Sequence, residues 1–192
     1  MFFNRDIFLK NATKNKALFE YTFTELKNNS DAGRKSRSKG IVTLFEGVVQ
    51  GPDGQARTLF KVPSQTNPGT DYQVTVAVIV PKTSLFAIAK GKWDAKVFAS
   101  TLKAADVKVH CTCMDFLMGG QKYNLGPNGK YKGSTLTDKN QPHYKTIDPT
   151  APDYRDPQRI HVLCKHCIAV ATNFTANSFN IMKSIRGFVS EV

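Results

Sequence analysis

Four cysteines fall in two tight groups, Cys111-Thr112-Cys113 and Cys164-Lys165-His166-Cys167, with fifty residues between them. No other feature constrains the fold as much. Each group fixes soft ligands on one backbone element, and folding then brings the two elements together, which is what a tetrahedral Zn2+ site requires. Reduced core cysteines beside a satisfied histidine would match the composition but leave the clustering unexplained. A redox Cys-x-x-Cys would use Cys164 and Cys167 and give Cys111 and Cys113 no role. Four cysteines in 192 residues are too few for a secreted disulfide scaffold.

The metal pair at residue 111 is approached through strand-like sequence. Ile41 to Val49 is β-branched and aromatic, Pro52-Asp53-Gly54 supplies a turn, and Ala56 to Val62 resumes an extended pattern, so a hairpin is expected. After a second turn cluster from Pro63 to Thr70, Tyr72 to Val78 alternates with period two, and Val107-Lys108-Val109 is extended again. Ser84 to Lys90 and Trp93 to Leu102 read as short helices, the second with Trp93, Val97, Phe98 and Leu102 on one face. Trp93 reads as a packing residue. The longest apolar run, Val74 to Val80, is strand-length, so no membrane-spanning helix is expected. Met1 to Asp6 lacks the pattern of a cleaved signal and reads as the start of an unprocessed, cytoplasmically made chain.

Cys111-x-Cys113 followed by Asp115-Phe116, with Cys164-Lys165-His166 running into Ile168-Ala169-Val170, resembles the SWIM zinc finger, whose pattern is Cys-x-Cys, a variable insert, then Cys-x-His. The resemblance covers roughly residues 58 to 80 and 106 to 172. It implies a ββα unit in which the first pair ends a β-hairpin and the second opens a helix, with Cys111, Cys113, Cys164 and His166 as zinc ligands. Met114 stands where that family tends to have proline. His110 and Cys167 each adjoin an expected ligand and would also complete a legal set. His166 is preferred to Cys167 because neighbouring helical residues point about 100° apart.

The insert, 117–163, is rich in Gly and Pro and poor in hydrophobics, which predicts an ordered surface loop or a partner-binding arm rather than a separate core. Its aromatic and basic residues, among them Tyr123, Tyr131, Lys132, Tyr144, Lys145, Tyr154 and Arg155, suit a protein interface or base stacking. The segment 29–40 is small, polar and basic and reads as an exposed linker, with Arg34, Lys35, Arg37 and Lys39 as candidate phosphate or partner contacts. A net charge of +12 favours polyanions by long-range field. The elaborated insert also loosely resembles the SWIM-like proteins of tailed bacteriophages.

Residues 1–28, with aromatic residues scattered among Lys and Asn, admit either a strand or an amphipathic helix and read as an N-terminal arm ahead of the linker and a β-rich domain, 41–192. Near the other end, Ile181, Met182, Ile185, Phe188 and Val189 recur at helical spacing behind the capping residues Asn177 and Ser178. Nucleophile elbows, P-loops and His-Glu-x-x-His are missing from the sequence, and a four-ligand zinc shell leaves no position for an activated water. The expectation is therefore an α+β fold: a small antiparallel β-sheet, a zinc-stapled SWIM-like ββα unit, a long ordered insert and a C-terminal helix. The expected role is a non-enzymatic assembly module of a bacteriophage virion, made in the bacterial cytoplasm. Its partners would be other virion proteins in multiple copies, with no membrane and no small-molecule substrate. The alternative is a free DNA-binding SWIM protein acting in regulation or recombination.

Overall fold

The computed structural model describes residues 21–51, 55–78, 80, 84, 87, 88, 90–118, 125, 131, 134, 136 and 162–190. Within them lie α1 (Phe23–Asn28), α2 (Ala32–Ser38), β1 (Leu44–Gln50), β2 (Ala56–Pro63), β3 (Asp71–Val78), α3 (Ala95–Ala104), β4 (Val107–Cys111), α4 (Met114–Met118), α5 (Lys165–Asn173), a 3-10 turn (Thr175–Asn177) and α6 (Ser178–Ser190). The four strands form one antiparallel sheet in the order β1-β2-β3-β4. This is the expected α+β class. No described helix is long and apolar enough to cross a membrane.

Alternation decides which face is covered. Register places Phe45 beside Phe60 and Phe60 beside Val74, and the inward row continues through Val76, Val109 and Cys111. These positions face helices, so Phe60, Val74, Val76, Val109 and Cys111 are fully buried. Phe174, just after α5, joins the layers: its ring lies 5.4 Å from Phe23 and 6.0 Å from Phe60. Full burial of a side chain of this size is worth about 1.5–3 kcal/mol. In β1 the register slips between Phe45 and Gly47, and Gly47, at φ +153°, takes up a backbone geometry that other residues rarely adopt.

Several expectations shift. Within the expected N-terminal arm, Thr22 caps α1 in a reciprocal box with Glu25, and Phe23 and Leu26 enter the core. Residues 1–20 lie outside the described set. The linker expected at 29–40 is largely helical: Asp31 caps α2 by accepting from the Arg34 N–H at 2.9 Å, and Arg34 is buried. In α3, Phe98 and Leu102 are buried but Val97 is exposed, because it stands about 100° round the helix from Phe98 and about 140° from Leu102. Trp93 packs edge-on against Phe98 at 6.0 Å. The Ile181 and Ile185 stripe of α6 is used internally, against β1 and α3. Phe188 and Val189 lie outside the residues whose side chains are described.

The insert is anchored more deeply than expected. Leu117, Leu125, Tyr131, Leu136, Val162 and Leu163 are buried, most of them in the common core. Ser134 and Leu136 exchange backbone hydrogen bonds with Val109 at 2.9 and 3.0 Å and so line the outer edge of β4. Farther along the same edge, Val107 donates to the Tyr21 carbonyl at 2.9 Å, and Tyr21 meets Tyr131 edge-on at 5.2 Å.

Candidate metal centre

The centre is built where β4 ends and α5 begins. Cys111 is the last residue of β4, and pairing with Val74 of β3 directs it to the covered face. Cys113 follows two residues later, its turn held because Thr112 N donates to the Gln73 carbonyl and Gln73 N donates to Thr112 Oγ1, at 3.1 and 3.0 Å. Cys164 is the N-cap of α5, and His166 stands in that helix's first turn. The ligand atoms of Cys111, Cys113, Cys164 and His166 all lie within 4.8 Å of one another, and all four residues are buried. β3, β4 and α5 thus surround the cluster in a ββα-like arrangement.

Cys113 and Cys164 are prepared in the same way. Each precedes a helix and accepts a backbone N–H from the residue three positions on: Phe116 N to Cys113 Sγ at 3.3 Å, and Cys167 N to Cys164 Sγ at 3.4 Å. Such donors, with the positive end of a helix behind them, favour the thiolate over the thiol. Burial alone would push Cys164 up, but hydrogen bonds from Cys111, Cys113, Cys167 and His166 hold it well below the usual thiol range. Burial pushes Cys111 and Cys167 well above that range. At Cys113 the hydrogen bond from Cys111 lowers the pKa, but donation to Cys164 and burial outweigh it, and the thiol is raised.

The donor set fits a zinc-like ion. Three sulfurs and one imidazole are a recognised tetrahedral shell, in which neighbouring donor atoms stand about 3.7 Å apart, so closing the cluster by roughly 1 Å would satisfy it. His166 supports the fit. Its Nδ1 has Cys111 Sγ at 4.0 Å as its neighbour, and its Nε2 is buried with no hydrogen-bond partner among the described residues. A buried imidazole so poorly satisfied is costly unless it ligates. Tyr72 lies over the ring at 4.5 Å and fixes its plane. Cys167 is also buried, one helical position past His166 and outside the four-residue group. His110 lies on the opposite face of β4 from Cys111 and meets Phe116 edge-on at 5.5 Å.

The expected contact residues divide sharply. Arg34 is turned inward: its Nε and Nη2 bond both oxygens of Asp115 at 3.1 and 2.7 Å, and its Nη1 reaches Asp31 at 3.1 Å. It is therefore withdrawn from phosphate or partner contact, and only Arg37 and Lys39 of that group are exposed, while Lys35 donates to the Asn28 carbonyl at 2.7 Å. Tyr131 is buried against Tyr21 and offers no stacking face. Tyr123, Lys132, Tyr144, Lys145, Tyr154 and Arg155 lie outside the described residues. Sequence reasoning passed over Arg34–Asp115, Ser30 and Tyr72 as parts of the site. The Asp31-x-x-Arg34 cap signal was available for the first of these.

Comparison with protein-family models, with curated proteins and with solved structures returns no match.

Proposed function

We propose that the chain is a structural zinc module whose ion, held by Cys111, Cys113, Cys164 and His166, staples the sheet to α5 and secures both ends of the insert. The observation that carries this reading is the buried group of four donors at the β4–α5 junction. Four protein ligands complete a tetrahedral shell, which suits a structural ion and leaves no position for a reacting water. The bound ion would supply cross-linking: it offsets the entropy of closing the long excursion from Cys113 to Cys164. The role is non-catalytic, as in SWIM-type fingers.

The service we assign to this module is protein assembly, in keeping with the looser likeness to the SWIM-like proteins of tailed bacteriophages, which would make it a virion component. Exposed Leu44 and Val49 in β1, with Val42 just before the strand and Phe179 on the adjoining α6, favour a protein partner. A second reading, binding to DNA, draws on the +12 charge and on exposed Arg37 and Lys39. Native mass spectrometry should find one zinc per chain, and Cys164→Ser should lose it. A Cys164→Ser protein that keeps stoichiometric zinc would refute the assignment. Salt titration separates the partners, because DNA contact weakens steeply with added salt while an apolar interface does not.

A further inference from the structure

The two halves of the metal centre are joined by more than their own ligands. Arg34 forks onto Asp115, which stands two residues after Cys113 in α4, the helix whose Phe116 N–H bonds Cys113 Sγ. On the other half, Ser30 Oγ accepts from Leu163 N at 3.2 Å, directly before Cys164, and donates to the Leu26 carbonyl at 2.9 Å. These contacts bridge 81 and 133 residues of sequence, yet both start from one short stretch, Ser30 just before α2 and Arg34 within it. Helix α2 also packs directly on α5.

We infer that Arg34 and Ser30 are positioning residues of the metal centre: together they hold the Cys111–Cys113 half and the Cys164–His166 half at ligating distance. This rests on the zinc reading above. The physical case is preorganisation. A four-donor site on two elements separated by a long insert loses its ion when the elements part, and a brace fixed to both elements slows that parting without touching the ion. The Arg34 side chain is 6% exposed and that of Asp115 43%, so the fork is not a fully solvated surface pair. A guanidinium grips both carboxylate oxygens in one plane, a geometry that an ammonium cannot reproduce.

The test is the rate at which a chromophoric chelator captures zinc from the full-length loaded protein, with the cobalt-substituted spectrum as a check on the ligand set. Arg34→Ala and Asp115→Asn should release zinc about tenfold faster or more, the range seen when groups supporting a ligand are removed, while the cobalt spectrum keeps its three-sulfur, one-nitrogen character. Arg34→Lys should fall between these variants and the wild type, and Ser30→Ala should speed release less. Leu102→Ala, in the core away from the centre, should lower the melting temperature without changing release, which separates bracing from general destabilisation. Asp115→Asn serves should Arg34→Ala fail to fold. Wild-type release rates in both Arg34→Lys and Asp115→Asn would overturn the inference, whereas wild-type protein that takes up neither zinc nor cobalt would overturn the zinc reading beneath it.

Discussion

The two edges of the sheet are finished differently. Beyond β4, backbone groups are taken up by Tyr21 and by Ser134 and Leu136, and the strand runs directly into the candidate metal ligands. Beyond β1, no described strand adds to the sheet, and Leu44 and Val49 face outward and exposed. A bulge and the exposed Glu46 are what discourage indiscriminate pairing there. Segments far apart in sequence thus converge on one margin of the sheet, while the other is left to a single hairpin and α6. The β4 margin is held by long-range hydrogen bonds beside a cluster of candidate ligands, and the β1 margin by apolar packing.

Removing the metal should break this contrast most visibly. Chelation, or Cys164→Ser, is expected to abolish stoichiometric zinc binding and to strip amide-exchange protection from Val107 to Cys111 before the β1–β2 hairpin. Equal loss at both margins would show that the ion stabilises the whole fold rather than one edge. Acid should act in the same direction. Burial raises the Cys111 thiol, and donation to Cys164 together with burial raises that of Cys113 against the hydrogen bond from Cys111, so protons compete strongly for these sulfurs. Affinity therefore falls as pH falls, and release measured from about pH 8 down to about pH 5 should accelerate steadily. A flat profile would speak against thiolate ligation.

Phe174→Ala should be the next largest effect and should not respect the contrast. Its ring joins Phe23 to Phe60, and loss of a buried phenylalanine costs about 3–5 kcal/mol. Thermal or urea unfolding would read this as a lowered midpoint with zinc stoichiometry retained. The smallest expected effect on stability sharpens the comparison from the other side. Leu44→Lys combined with Phe179→Lys alters exposed positions and should move stability by less than about 0.5 kcal/mol. Sedimentation or co-purification should nevertheless show weakened association if the β1 margin is the assembly face.

What could be read from the residues was mainly what local pattern encodes. Alternation from Tyr72 to Val78 matches β3, and the spacing of Ile181 and Ile185 matches the buried stripe of α6. The cysteine groups pointed to Cys111, Cys113, Cys164 and His166 because short ligand pairs are local too. In two places a local signal was present but outweighed by composition. Thr22-x-x-Glu25 is a capping box that settles the helix-or-strand ambiguity before Asn28. Asp31 caps α2 despite the surrounding Gly, Ser and basic residues. The fork between Arg34 and Asp115 was not legible at all, since nothing near Arg34 indicates a carboxylate 81 residues away. Leu125 and Tyr131 were hidden similarly: sparse hydrophobics do not make a core of their own, but they can complete someone else's.

The long interval between the two ligand pairs has a consequence during synthesis. At ordinary translation rates of about 5–20 residues per second, Cys111 and Cys113 leave the ribosome roughly 3–10 s before Cys164. During that interval the nascent chain carries two neighbouring thiols with neither the Cys164 thiol nor the His166 imidazole to join them, open to oxidation or to a borrowed metal. Ser30 and Arg34, made earlier still, are already waiting: Arg34 can take hold of Asp115 as soon as it appears, whereas the Ser30 hydroxyl must wait for Leu163. The order of synthesis therefore makes the Cys113 side of the proposed brace available first, and the arrival of α5 supplies the remaining two candidate ligands together with the brace's second contact.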